Sequence, residues 1–454
     1  MSDRTEQLEV RGERVEVDTP LGAFPAMADG DVVRIRNVRY ARAARFAPPE
    51  PVDPDPAESA GLQQVRIACP QPASPSAAFV GSPMRGCVPD EDCLRLTITR
   101  PRELSDAPAP VLVWMHGGSY VSGAGDMAGH DAAALAREQG VLVVTVTSRL
   151  GLLGFLGDGV DRPANLGLLD LRESLRWVRA HIAAFGGDPD RVTVVGQSSG
   201  ADAVVHLLAA DGAAGLVRRA IVESAPFGIR GGRERMHERM LAAAGPLDAT
   251  TPVDDVLAAQ ARAKEASAGD GLRSSMAFAP QYGHAPLPAE HAMDDRWRER
   301  APGVDVLVTW TRDEASYFVE IDPKLGAIAG VPLVGRMLRR GLVRVLTRIA
   351  YTRDGRRFAR MLARAGARVQ VAVLTLRPDG SPVGAAHAIE VPLLFPADAW
   401  AGAPLLRPAG GRSLVDGGAP LRAAWAEFAR HGRIGAARIA AGPGWSGDVR
   451  VGTP

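Results

Sequence analysis

The chain of 454 residues is 46% apolar and 23% charged, the balance of a folded globular protein, and its Gly and Pro, together roughly 19%, stay under the roughly 25–30% of low-complexity chains. Lys plus Arg (53) nearly cancels Asp plus Glu (52), so the formal net charge is +1 and no global field draws the chain to nucleic acid or to anionic membranes. Only Lys264 and Lys324 are lysines, neither in a Gly-rich turn, which argues against Schiff-base and phosphate-loop chemistry.

In chain order, MSDRTEQLEVRGERVEVDTP alternates charge and lacks the apolar segment of a secretory signal, which predicts a cytoplasmic location. VVRIRNV from Val32 and CLRLTIT from Cys93 read as antiparallel strands, and the proline-rich stretch 48–92 between them reads as a long loop. The longest uncharged stretch, Ala107 to Gly125, is broken by Pro108, Pro110, His116 and glycines, so no stable membrane insertion is expected. Short β-branched runs then follow: VLVWMH from Val111, VLVVTVT from Val141, VTVVG from Val192, RAIVES from Arg219 and DVLVTW from Asp305. Runs with no polar alternation predict strands buried on both faces of a parallel sheet. Between the second and third runs, Leu168, Leu171, Leu175, Val178, Ile182 and Phe185 recur at steps of three and four, one apolar stripe of a helix that Gly186-Gly187 ends. Strands alternating with helices predict an α/β fold with a mostly parallel central sheet flanked by helices. Residues 230–300 are polar and helical and residues 325–368 dense in arginine, with no Pro/Ser linker at either flank. They are expected to be insertions on a single domain spanning 1–454. Three cysteines, Cys69, Cys87 and Cys93, fit neither a disulfide scaffold nor a zinc ribbon, so no metal is expected.

VTVVG runs directly into Gly196-Gln197-Ser198-Ser199-Gly200 and an apolar helical stretch, ADAVVHLLAA. Strand, G-x-S-x-G turn and helix make a nucleophile elbow, in which small residues let the chain turn tightly enough to expose a serine hydroxyl at the sheet edge. The bare pattern would arise by chance about 0.24 times in such a chain, so its strand–helix setting carries the argument for Ser198. VLVWMH ends in His116-Gly117-Gly118-Ser119-Tyr120 at the same sheet edge. Glycines there allow backbone N–H groups to approach a developing oxyanion, so Gly117, Gly118 and the amide of Ser199 are the expected oxyanion hole.

With these motifs the chain resembles the type-B carboxylesterases, the cholinesterase-like family of α/β hydrolases. The likeness runs through DTPLGAF, RFAPPEP, CPQ from Cys69, EDCLRL from Glu91, HGGSYVSGAG, SRLGLLGFL from Ser148, the long block from Asn165 to Ala201, RDEASYF from Arg312, GAAHAIEVPLLF from Gly384 and WAEFARHG from Trp425. It departs from the usual pattern at Gln197, where Glu is common beside the nucleophile, at Thr147-Ser148, which replace Asn-Tyr, and at Ala315, where Gly usually follows the DE pair. The resemblance implies an α/β-hydrolase fold, ester hydrolysis without a cofactor, and a disulfide between Cys69 and Cys93, which a reducing cytoplasm opposes.

A serine hydroxyl needs a base to take its proton and a carboxylate to orient that base, in chain order Ser, Asp/Glu, His. His387 and His431 lie downstream of the late carboxylates. His431, in WAEFARHG beside Arg430 and Arg433, reads as a solvated cation at a helix end, whereas His387 lies in a loop of small residues after VQVAVLTL. The carboxylate follows DVLVTW as Asp313 or Glu314, only one of which can face the histidine, and the resemblance implies Glu314. The expected function is therefore a serine carboxylesterase acting through an acyl-enzyme on a small-molecule ester, with Ser198, Glu314 and His387 as triad. An amide or carbamate hydrolase using the same triad is the alternative, with a silent binding member of the family a further one. From Arg336 to Arg368 eleven arginines face a single acid, Asp354, interleaved with Leu338, Leu342, Val345, Leu346 and Ile349. This segment is expected to be a solvated cap at the site mouth, with an anion or lipid role as its alternative. A monomer or weak dimer is expected.

Overall fold

In the computed structural model, which describes residues 12–74, 77–81, 83–322, 325, 334–408 and 412–454, the apolar runs are neighbouring strands of one twelve-stranded sheet. Its strands are β1 (Glu13–Thr19), β2 (Gly22–Asp29), β3 (Val32–Arg39), β4 (Arg95–Pro101), β5 (Ala109–Met115), β6 (Leu142–Val146), β7 (Gly187–Gln197), β8 (Arg219–Glu223), β9 (Asp305–Thr311), β10 (Arg368–Leu374), β11 (Arg438–Ala440) and β12 (Asp448–Gly452). They lie in the order β1-β2-β3-β4-β6-β5-β7-β8-β9-β10-β12-β11. The six strands from β6 to β10 in that order are parallel, and antiparallel strands close both flanks. Every residue of β5, β6 and β9 is buried, because helices cover both faces and neither face needs polar alternation. Period two survives as a choice of core. Val111, Val113 and Met115 point into one cluster with Trp177 and Phe185, while Leu112 and Trp114 point into another with Trp425 and Phe428.

The principal helices are α1 (Ala133–Gln139), α2 (Leu166–His181), α3 (Ser199–Leu207), α4 (Glu234–Ala244), α5 (Val253–Ala266), α6 (Met293–Arg300), α7 (Ala315–Ile321), α8 (Gly335–Thr347), α9 (Arg353–Arg364) and α10 (Arg412–His431). The leucine stripe of α2 is buried as its spacing predicts, and it runs on through a 3₁₀ turn, Ile182–Phe185, that ends at Gly186 with φ +90°. Helices α4 to α6 form the insertion at 230–300 and are pinned to the core by polar contacts. Trp297 Nε1 donates to the Val205 carbonyl at 2.7 Å, and Asn165 Nδ2 donates to the carbonyls of Gln281 (2.8 Å) and His284 (3.0 Å). Helices α8 and α9 form the described part of the second insertion; residues 326–333 of that segment, like residues 1–11 of the charged amino-terminal stretch, lie outside the described residues.

Two local expectations need correction. The stretch 48–92 is not wholly loop. It holds a short helix, Pro56–Ser59, capped by the Asp55 carboxylate on the Ala57 N–H, and a two-strand parallel bridge between Arg66–Ala68 and Cys87–Pro89. Strand β7 begins at Gly187, before Val192, because Gly187 already pairs with Ala109 across an irregularity. Cys69 and Cys93 are free thiols, without the bridge that the resemblance implies. Both are buried thiols, and that of Cys93 is pushed well up by its hydrogen bond to Cys69 and by burial.

Candidate active site

The parallel register brings the chemistry to one edge. Met115 pairs with Gly196, Gln197 with Glu223, and Glu223 with Thr309, so β5, β7, β8 and β9 end level with one another. At that edge Ser198 adopts φ 57°, ψ −121°, a conformation that a non-glycine residue keeps only when its surroundings enforce it. Two contacts do so. The Ser198 N–H donates to the Glu223 carbonyl at 2.8 Å, and the Asp202 N–H, in the first turn of α3, donates back to the Ser198 carbonyl at 2.9 Å. The flanking glycines are required by space. A Cβ on Gly196 would lie 2.4 Å from the Gly200 carbonyl oxygen, and one on Gly200 would lie 2.0 Å from that of Met115. Strand, turn and helix thus touch backbone to backbone, and Ser198 is left at the tip.

The HGG loop packs against this tip. A Cβ on Gly117 would meet Gln197 Oε1 at 2.6 Å and Ser198 Cβ at 3.1 Å, and Gly118 has φ +123°. Bare backbone at Gly117 therefore approaches Ser198, while Gly118 packs against Ser122 in the turn of the same loop, beside Ser199 at the start of α3. His116, immediately before, holds the loop by a 2.8 Å contact from Nδ1 to the Gly117 carbonyl, and burial lowers its pKa. A narrow pocket of about 20 Å³ lies between this loop and α3, lined among others by Gly117, Tyr120, Ser148, Phe155 and Ser199.

His387 lies 73 residues beyond Glu314, in the loop after β10, and the two side chains meet: His387 Nδ1 lies 2.5 Å from Glu314 Oε2. Glu314 is fully buried, and its other oxygen accepts the Thr311 N–H at 2.6 Å, so the carboxylate is fixed at both ends. An ionised carboxylate only accepts, so it selects the tautomer with hydrogen on Nδ1 and leaves Nε2 with its lone pair. That nitrogen faces the elbow, 3.4 Å from Gln197 Nε2. Asp313 points the other way. Its Oδ2 accepts the Ala385 N–H at 3.1 Å and the Arg312 guanidinium at 2.9 Å, so it clamps the acid loop to the histidine loop. His431 ends α10, exposed to solvent.

The structure also shows neighbours that sequence reasoning missed. Three rings surround His387, with centroids at 5.7 Å (Tyr317), 5.3 Å (Phe318) and 5.4 Å (Tyr351). Tyr351 sits in a π-helical turn, Arg348–Thr352, inside the arginine-rich insertion. Two buried carboxyls lie below. Glu223 Oε1 accepts the Trp425 indole N–H at 2.5 Å, and burial, with Glu390 nearby, raises its pKa well above the carboxylate range. Glu390, three residues after His387, is fully buried, with its carboxyl beside the Gln197 amide. Burial and the Glu314 charge push it up to about 7. The H-x-x-E spacing was the only signal for it.

A carboxyl whose pKa is higher folded than unfolded favours folding while protonated and loses that contribution as pH rises through 7. Relative to Glu390→Gln, the wild type should therefore lose stability between pH 5 and pH 8, by on the order of 1–3 kcal/mol. Denaturation of both proteins at the two pH values checks this; a gap that does not change with pH contradicts it.

A parallel sheet with a strained serine elbow, a glycine loop and a histidine–carboxylate pair at one edge defines an α/β hydrolase. Residues 22–328 match the family model described as the carboxylesterase family. The chain is 37% identical over 429 residues to a probable N-octanoylanthranilate hydrolase of Rhodococcus erythropolis, covering 92% of this chain and 93% of that one. It is 31% identical over 409 residues to phenmedipham hydrolase of Pseudarthrobacter oxydans, covering 80% and 79%. Among solved structures, a PNB esterase superposes with a TM-score of 0.71 at 27% identity, over 92% of this chain and 91% of the other. The chain belongs to the carboxylesterase family and is a hydrolase of carboxylic esters.

Proposed function

We propose that Ser198, His387 and Glu314 are its catalytic triad and that the N–H groups of Gly117, Gly118 and Ser199 form its oxyanion hole. The observation that carries this is the His387–Glu314 contact at the edge where the Ser198 elbow ends. Ser198 Oγ attacks the ester carbonyl while His387 Nε2 takes its proton, and Glu314 stabilises the imidazolium through Nδ1–H. The tetrahedral oxyanion is held by the three backbone donors. Collapse breaks the bond to the alkoxide, which leaves with the proton from Nε2, and water then cleaves the acyl-enzyme by the same sequence. No step calls for a cofactor. The chain works as one α/β-hydrolase domain, its two insertions forming walls around the site.

The substrate is a neutral carboxylic ester. A choline headgroup is recognised by cation–π contact with open aromatic faces. Phe79, the only aromatic residue in the loop from Pro70 to Asp92, is buried and packed edge-on against Tyr317 at 5.2 Å. The second reading, amide or carbamate hydrolysis, draws support from the names of the two relatives above, since the same triad serves both bond types. Specificity constants for nitrophenyl esters of rising acyl length, a choline ester, an anilide and a carbamate separate these readings. Neutral esters should lead, with no preference for choline; a higher constant for the anilide or carbamate would establish the second reading.

A cytoplasmic location is proposed from the buried, unbridged cysteines. Among the described residues no helix is long and apolar enough to cross a membrane. Burial pushes the third thiol, Cys87, up to about 12, which lowers its thiolate fraction. Thiol counting under denaturant in rapidly quenched cell extract should find all three free; a count of one would place the protein in an oxidising compartment.

A further inference from the structure

Helix α8 presents a surface that catalysis does not use. Its inner side is accounted for. Val343 is buried with Ala315 and Val319 of α7, and the Ala315 N–H donates to Thr347 Oγ1 at 3.1 Å. The outer side, extended by the residue before the helix and the π turn after it, carries Val334, Met337, Leu338, Val345 and Ile349, exposed by 40%, 68%, 47%, 54% and 43%. These are five of the eleven large apolar side chains left exposed among the described residues, gathered within sixteen positions. They fall on one stripe at helical spacing. Beside it runs a second row, Arg336, Arg340, Arg344 and Arg348, one per turn and all exposed. None of the four makes an ion pair among the described residues, whereas Arg339, on the other flank, is held by Glu320 at 3.1 Å. No acid lies between Gly335 and Arg353 in sequence.

We propose that this face of α8 docks the enzyme on an anionic lipid surface, the aliphatic stripe entering the acyl boundary and the arginine row lying along the phosphate plane. The geometry is that of an interfacial helix, with apolar and cationic sectors side by side and no span. A protein partner fits less well. Interface centres are depleted in charge and built on Trp and Tyr anchors, and this face offers four bare guanidinium groups and no aromatic ring. A second copy docked through the same face would bring its own arginine row against this one. The docked helix is continuous with the active site, because the turn that follows it carries Tyr351, against His387. Docking would thus turn the site toward esters dissolved in the lipid. The binding itself does not depend on which residue is the nucleophile.

Co-sedimentation of the full-length protein with vesicles of phosphatidylcholine, alone and with about 30% phosphatidylserine, tests this. The wild type should partition onto the anionic vesicles and be released as salt rises from about 0.1 to 0.5 M. With roughly fivefold in affinity for each basic residue at the surface, the double variant Arg340→Glu/Arg344→Glu should bind at least about tenfold more weakly. Met337→Ser/Val345→Ser should weaken binding to both vesicle types, and both double variants should keep wild-type turnover of a water-soluble nitrophenyl ester, which reports that they fold. The proposal is overturned if the wild type ignores the vesicles, if neutral and anionic vesicles bind it equally, or if the folded variants bind as the wild type does. A dimer that the charge reversal dissolves, with no vesicle binding, would instead make this face a contact between copies.

Discussion

Ser198→Ala should lower kcat for nitrophenyl esters by at least roughly 10⁴, with the folded structure and substrate binding retained. The elbow is over-determined by backbone: Ser198 is held by the Glu223 and Asp202 contacts, and Gly196 and Gly200 by close packing. Removing one hydroxyl therefore leaves the turn intact and takes away only the proposed nucleophile. What remains is the oxyanion hole and binding, which in serine hydrolases lacking a triad member still give roughly 10³–10⁴ over water. Turnover within tenfold of wild type in a folded Ser198→Ala protein would mean that another residue attacks the ester.

The second large effect separates adjacent carboxylates. Glu314→Gln keeps the shape of the acid, but its amide can donate to Nδ1 and hold the imidazole in the wrong tautomer, and it no longer offsets the imidazolium. A comparable acid-to-amide change in a serine protease costs about 10⁴ in turnover. We expect a fall of at least roughly 10² in kcat, with KM within several-fold. Asp313→Asn should do much less to kcat, since Oδ2 of Asp313 serves the Ala385 N–H and Arg312 and does not face His387. Steady-state kinetics of the two variants, both shown to be folded, decide it; the reverse order of damage would move the acid to Asp313.

The contrast between these two residues shows what a sequence can carry. The strands and the elbow are legible because their causes are local. Fully buried strands need apolar runs, and a turn this tight needs small residues at 196 and 200. The choice of Glu314 over Asp313 is not local. It depends on which side chain the loop turns toward a histidine 73 residues away, and before the structure only the family resemblance favoured one. Glu390 and Glu223 are hard to read for a related reason, since a carboxyl at the end of a buried strand or three residues after a histidine shows its neighbours only in the assembled sheet and helices. Tyr351 escaped because helical spacing relates neighbours on one helix, whereas its contact is with His387 in a loop 36 residues further on. The hairpin of β1 and β2 was missed because ERVEVDT forms a half-exposed edge strand, whose charges resemble those of a disordered start.

The most direct measurement is the site of covalent modification by a fluorophosphonate, a reagent that reports an activated hydroxyl and is indifferent to the true substrate. The account predicts one phosphonate per chain, on the peptide containing Ser198, loss of esterase activity in step with labelling, and much slower labelling in His387→Ala. Stoichiometric labelling of a different residue, or full ester turnover by protein already modified at Ser198, would contradict it.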